Sequence, residues 1–201
     1  MSENTTLNKL KQSMSMQNKT VLLVMDIQKG ILSRLPESAS LMTKVEQAVA
    51  AARGAGVPVV FVRLCFRKGH PEVNAANRLF GPMKGQADLF IEGHETTEMP
   101  DSITPKEGEV IVNKKRISGF AGSDLEMILR GYGAENLVML GLSTSGIVLS
   151  TLREALDKDY AVTVLEDACA DNKEGMHQFL TQTLFPSYAN VTTVDAWAKS
   201  L

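Results

Sequence analysis

The sequence predicts an α/β fold, a three-layer α/β/α sandwich around a parallel sheet, Rossmann-like in its winding. Three observations carry that prediction. Short apolar runs alternate with segments of helical period. The runs are apolar throughout rather than at every second residue, as strands buried on both faces are. Glycine, proline and asparagine punctuate the joins. Right-handed crossovers between such strands leave few topologies.

The elements follow in order. Residues 20–25 (TVLLVM) are the first strand. Leu41, Val45, Ala48, Val49 and Ala52 trace one face of a helix that the Gly54-Ala-Gly56 sequence ends. Residues 57–62 are strand two. Residues 63–108, with Pro and Gly scattered through them, are too long for an ordinary connection and read as a lid or binding loop. Residues 109–113 are strand three. Ser123 and Glu126 have capping-box spacing and open a short helix that ends at Gly131-Tyr-Gly133. Residues 136–142 are strand four, and Ile147, Val148, Thr151, Leu152, Ala155 and Leu156 give the next helix its apolar face. Residues 161–165 are strand five, 174–184 a helix, 190–193 a short strand six and 195–201 a closing helix.

Composition bounds the function. The 201 residues, 44% hydrophobic and 22% charged, suit a single globular domain over 19–201 with an N-terminal extension over 1–18. In that extension Leu7, Leu10 and Met14 have helical spacing. A net charge of -2 supplies no basic surface for nucleic acid. No apolar run is long enough to span a membrane, and residues 1–18 are too polar for a secretory signal, so a cytoplasmic location is expected. Cys65 and Cys169 have neither metal nor redox spacing and form no disulfide framework.

Several familiar signatures are absent. Gly131-Tyr-Gly133 precedes a strand, so it is no dinucleotide loop, and there is no Walker A sequence. Gly141-Leu-Ser-Thr-Ser145 lacks the closing glycine of a nucleophile elbow. His70, His94 and His177 are scattered, so no metal and no cofactor is expected.

What remains lies at the carboxyl ends of the strands, where open α/β sheets bind ligands. Asp26 directly follows strand one, and a buried carboxylate there needs a partner, which Lys114 beyond strand three could supply. Taken alone, Asp26 reads equally as a structural ion pair or a helix cap. Residues 141–147 (GLSTSGI) join strand four to a helix, whose terminal amides favour anions and developing oxyanions.

Residues 24–28 (VMDIQ), 113–120 (NKKRISGF) with Asp124 and Leu125, 141–144 (GLST) with Thr151, and 166–171 (EDACAD) occur in that order. The set resembles the isochorismatase-like hydrolases, or cysteine hydrolase superfamily, over about residues 20–195. The resemblance implies a six-stranded parallel sheet of order 3-2-1-4-5-6, Asp26 as catalytic aspartate and Lys114 as catalytic lysine. It also implies a cis peptide at Leu142–Ser143 and a homodimer or homotetramer. The nucleophilic cysteine of the family's amidases falls on Ile147, which can neither attack a carbonyl nor carry a proton.

Isochorismatases proper also lack this cysteine. They cleave an enolpyruvyl ether by protonating the vinyl carbon and adding water, which requires a general acid and no thiolate. The reading is therefore a cysteine-independent hydrolase of isochorismate or a similar small carboxylate, with Asp26 as the acid. The neighbouring Lys114 would lower the carboxyl's pKa, so desolvation must prevail. Expected substrate-binding residues are Gln28, Arg67, Arg116, Phe120, Ser143, Thr144 and Ser145. Two alternatives stay open: an amidase using Ser145 or an activated water, and an idle member serving as a binding module.

Overall fold

Among residues 19–35, 38–86 and 88–201, which the computed structural model describes, strands form one sheet of order β3-β2-β1-β4-β5-β6. These are β1 (Thr20–Met25), β2 (Val59–Leu64), β3 (Val110–Lys114), β4 (Asn136–Leu142), β5 (Ala161–Ala170) and β6 (Asn190–Thr192). Every neighbouring pair is parallel, and β1 lies between β2 and β4. Helices α1 (Ser38–Gly54), α2 (Leu125–Gly131), α3 (Leu149–Asp157), α4 (Met176–Phe179) and α5 (Val194–Ala198) flank the sheet. The sheet order is the one the family resemblance implies. The expected extension over 1–18 lies outside the described residues.

The core follows from the apolar runs. Leu22, Leu23, Val60, Phe61, Leu137, Met139 and Leu140 are buried on both faces of the central strands. Burying each such side chain is worth about 1.5–3 kcal/mol. The apolar face of α1 (Leu41, Val45, Ala48, Val49, Ala52) is buried against this cluster, and α1 touches β1, β2, β5 and α5.

Boundaries moved where local chemistry outweighed pattern. Strand β2 begins two residues late because Pro58 has no N–H; its carbonyl instead accepts the Leu22 N–H. Strand β5 runs to Ala170, beyond the expected 165, because a register irregularity after Met139 lets Gly141 and Leu142 pair with Cys169 and Ala170. The expected capping box does not form. Ser123 Oγ does accept the Leu125 N–H at 3.2 Å, but Glu126 turns outward to Lys158 and Arg130. The expected helix over 174–184 is α4 followed by a wider π-type turn, Leu180–Leu184.

The stretch 63–108 has a small core of its own, made of Leu64, Phe66, Val73, Phe80, Phe90 and Ile91. It is pinned to the end of β2, where Phe66 N–H donates to Phe90 O at 2.7 Å and Glu92 N–H to Phe66 O at 2.9 Å. Its buried His70 bonds the Leu89 carbonyl through Nε2 at 2.9 Å. This segment is a packed cap over one end of the sheet rather than a free loop.

Strands β1 and β4 meet in register from Thr20↔Asn136 to Met25↔Gly141. A Cβ at Gly141 would run into the Met25 carbonyl oxygen, backbone that cannot move aside. We therefore expect Gly141→Ala to destabilise the protein by about 1–3 kcal/mol, the range for overpacking a rigid core. Gly54→Ala, at the exposed end of α1 where a Cβ meets open space, should stay within about 0.5 kcal/mol of the parent. Equilibrium urea unfolding of the two variants checks both expectations.

Candidate active site

The main chain turns sharply where β1 stops. Asp26 has φ 56°, a left-handed conformation that aspartate tolerates better than most residues, and its N–H donates to Val62 O at 2.8 Å. This kink takes the carboxylate out of the alternation of the strand. Lys114 is the last residue of β3, in register with Leu64 of β2. Its long side chain crosses the end of β2 and brings Nζ to 3.0 Å from Asp26 Oδ2. The same ammonium donates to the Arg116 carbonyl at 3.1 Å.

Both groups are buried, with side chains 8% exposed for Asp26 and 3% for Lys114. Among the described residues, buried Asp26 Oδ1 has no well-formed hydrogen bond, and the nearby Leu64 N–H exerts only a minor pull on the carboxyl. Burial pushes the Asp26 carboxyl above the ordinary aspartate value, and the opposing pull of the Lys114 ammonium does not cancel it.

The second wall comes from the turn after β4. Ser143 adopts φ 75°, ψ 77°, and its N–H donates to Ala170 O at 2.8 Å. All peptide bonds of the described residues are trans, so the implied cis bond at Leu142–Ser143 is absent. The left-handed Ser143 reverses the chain instead. A π-type turn, Thr144–Val148, then leads into α3 and places Ile147 against the cavity that holds Asp26 and Lys114. A hydrocarbon stands where the resemblance puts a thiol.

That cavity has a volume of about 240 Å³, below the range typical of drug-sized ligands. Asp26, Lys114, Ser143 and Ile147 form its inner end, and Leu79, Phe80, Met83 and Phe90 of the 63–108 cap form an apolar wall. The expectation that this segment is part of a binding site therefore has a physical basis in its packing.

Other expected residues are placed elsewhere. Gln28 is wholly buried: its Nε2 donates to Leu64 O at 3.1 Å and Thr96 O at 3.0 Å, and its Oε1 accepts Leu64 N–H at 2.8 Å. Those bonds consume its amide in joining β1, β2 and the cap. Arg67 is held by Glu72 at 2.8 Å, and Arg116 Nη2 donates to the Glu72 carbonyl at 2.8 Å. Both line a separate open depression with Asn113 and Asp124, because Glu72 captures them there. Phe120 is a core residue stacked on Tyr160, with ring centroids 6.1 Å apart. Thr144 Oγ1 shares a hydrogen bond of 3.0 Å with His177 Nδ1, and Ser145 N–H donates to Asp171 Oδ2 at 2.6 Å. Of the residues 143–145, only Ser143 lines the cavity.

Of the lining residues that the sequence did not single out, Arg34 is the ionisable one. Arg34, just past the helical turn Lys29–Leu32, brings a guanidinium to the cavity. An isolated arginine in a polar connection carries no sequence signal that separates it from a solvated surface charge. The histidines are already engaged: His70 with Leu89, His94 with Thr96, His177 with Thr144. Among the described residues no group of three or more His, Cys, Asp or Glu is placed to hold a metal ion. Cys65 and Cys169 are buried outside the cavity, and burial pushes the Cys169 thiol up to about 12.

Comparison with known proteins agrees with this geometry. A family model described as an isochorismatase domain matches residues 20–196. The ureidoacrylate amidohydrolase RutB of Stutzerimonas stutzeri is 29% identical over 205 residues, covering 91% of this chain and 83% of the relative. The same-named protein of Pseudomonas savastanoi pv. phaseolicola is 30% identical, covering 91% and 81%. Among solved structures, N-carbamoylsarcosine amidase from Thermoplasma acidophilum superposes with TM-score 0.72 at 26% identity, covering 88% and 97% of the two chains. An isochorismatase family protein from Burkholderia thailandensis superposes with TM-score 0.81 at 25% identity, covering 92% and 96%. With the matching sheet order and a family match that spans most of its length, this chain belongs to the isochorismatase family of hydrolases.

Proposed function

We propose that the protein hydrolyses isochorismate or a similar small carboxylate bearing an enol ether, by acid catalysis without a cysteine nucleophile. One observation carries this reading. Asp26, with its pKa raised by burial, faces the same cavity as Ile147, and no thiol reaches that cavity.

In this mechanism the protonated Asp26 gives its proton to the terminal vinyl carbon of the enol ether. The resulting oxocarbenium ion takes up water at the ether carbon, and the proton released by that water returns to Asp26. The hemiketal then collapses to pyruvate and the free alcohol. Lys114 fixes the orientation of the carboxyl through the 3.0 Å contact and balances its charge once the proton has left. Excluding bulk water favours a neutral carboxylic acid before the substrate reacts.

The names of the relatives favour a second reading, hydrolysis of a C–N bond in a small carbamoyl compound. Such chemistry through an acyl-enzyme needs a nucleophile next to a base. Ser145 is outside the cavity wall, and Ser143 has no base within hydrogen-bond reach among the described residues. An Asp26-activated water is the route that reading retains.

Incubation with isochorismate, with pyruvate coupled to lactate dehydrogenase, tests the proposal directly. Pyruvate release is expected, and Asp26→Asn should cut it at least about 100-fold. A blank rate with isochorismate together with ammonia release from ureidoacrylate would overturn the enol-ether reading in favour of the amidase one. No turnover of either would leave the binding module.

The pH dependence has a definite sign. Protonated Asp26 is the active form, so the rate holds at low pH and falls as pH rises through a pKa above the usual carboxylate range. Lys114 pulls that pKa down, so Lys114→Met should move the falling limb to higher pH. Circular dichroism confirms that each variant is folded.

A thiol-free cavity also has a chemical signature. Cys65 and Cys169 are buried, so the native protein should react with iodoacetamide only slowly. Position 147 is as buried but lines the cavity, so Ile147→Cys should take up one further equivalent faster than Cys65 or Cys169, at a stability cost of about 1–2 kcal/mol for the lost hydrocarbon. Labelling no faster than the parent would show that position 147 does not face the cavity.

A further inference from the structure

Three ionisable side chains line the cavity: Asp26, Lys114 and Arg34. Asp26 and Lys114 are bonded to each other at 3.0 Å, whereas the guanidinium of Arg34 has no such partner. Among the described residues no carboxylate or carbonyl accepts from it. Other arginines near the ends of β2 and β3 are already satisfied. Arg63 donates to Asn113 Oδ1 at 2.7 Å and Thr97 O at 3.1 Å, and Arg67 and Arg116 are bound to Glu72.

Arg34 is nevertheless held in position. Its Cζ lies 5.6 Å from the centroid of the Phe90 ring, within cation–π range. Its backbone N–H donates to Ile31 O at 3.0 Å. The ring beneath it is fixed by the backbone of Phe90, whose N–H donates to Thr96 Oγ1 at 3.0 Å. Gly30 brings the two parts together. A Cβ there would meet Phe90 Cε1 at 2.8 Å and Thr96 Cβ at 2.7 Å, so only glycine lets the turn bearing Arg34 sit so close to the ring. Because no carboxylate or carbonyl among the described residues accepts from it, the guanidinium keeps its N–H donors for a ligand, in the fork geometry that matches a carboxylate.

We propose that Arg34 is the specificity-determining residue of this site. It binds the carboxylate of a small acid whose apolar body lies along Leu79, Phe80 and Met83. The proposal deepens the enol-ether reading, on which it rests for the identity of the reaction, but recognition of the carboxylate can be measured without turnover.

Benzoate and benzamide differ in charge and hardly in shape, so they are the probes. Isothermal titration calorimetry on the parent protein should show benzoate bound at least tenfold more tightly than benzamide. Arg34→Met keeps an unbranched stem over Phe90 and should weaken benzoate at least tenfold while leaving benzamide within twofold. Arg34→Lys, with charge but no fork, should fall between them. No preference for benzoate in the parent, or the same preference in Arg34→Met, overturns the proposal; the latter result would assign the carboxylate to Lys114. The two readings fail separately. A preference that follows Arg34 without any pyruvate release removes the enol-ether chemistry and keeps the carboxylate site. Pyruvate release with an unchanged KM in Arg34→Met does the reverse.

Discussion

The ion pair between Asp26 and Lys114 is the constraint around which the rest of the site is arranged. Removing one partner of a buried pair leaves an uncompensated charge and costs about 3–5 kcal/mol, so each group holds the other in place. The pair also ties β1 to β3 across the intervening end of β2, where Gln28 supplies three further bonds. A fold that needed only stability could fill this volume with hydrocarbon at little or no loss. The sheet instead holds a carboxyl whose proton affinity has been raised by removing water from around it.

On the proposed reading, that arrangement lets the scaffold work without a thiol. A nucleophilic cysteine would make Asp26 a proton acceptor, which favours an ionised carboxylate. With Ile147 opposite, there is no thiol for it to deprotonate. The same hydrocarbon lowers the local polarity and favours the protonated acid. On that reading the residue at 147 bears on both the nucleophile and the proton affinity of its neighbour.

Most of the fold was legible because its causes are periodic. Uniformly apolar strands and the stripe on α1 are averages over many side chains, and they survive local exceptions such as the late start of β2 at Val59. Asp26 and Lys114 were legible because a charge beside an apolar run demands an explanation. The misplaced residues share another cause. Gln28, Arg67 and Arg116 follow strand ends in sequence as a ligand-binding residue would, but their partners, Thr96 and Glu72, come from the cap. Hydrogen bonds across 63–108 depend on how that segment packs, and no spacing rule encodes it. Arg34 was missed for the same reason, since Phe90 gives it meaning. The expected cis bond failed because a left-handed Ser143 achieves the same reversal.

The small core of Leu64, Phe66, Val73, Phe80, Phe90 and Ile91 has an evolutionary corollary. Reactive groups belong to the sheet, whereas one apolar wall of the cavity, formed by Leu79, Phe80, Met83 and Phe90, belongs to an appendage with its own packing. Because the two clusters are separate, drift in the appendage can retune which molecules are admitted while the acid and its ammonium stay untouched. Divergence of substrates within such a lineage would then leave its record at position 34 and between residues 63 and 108, and the reaction's ancestry would be kept in the strands.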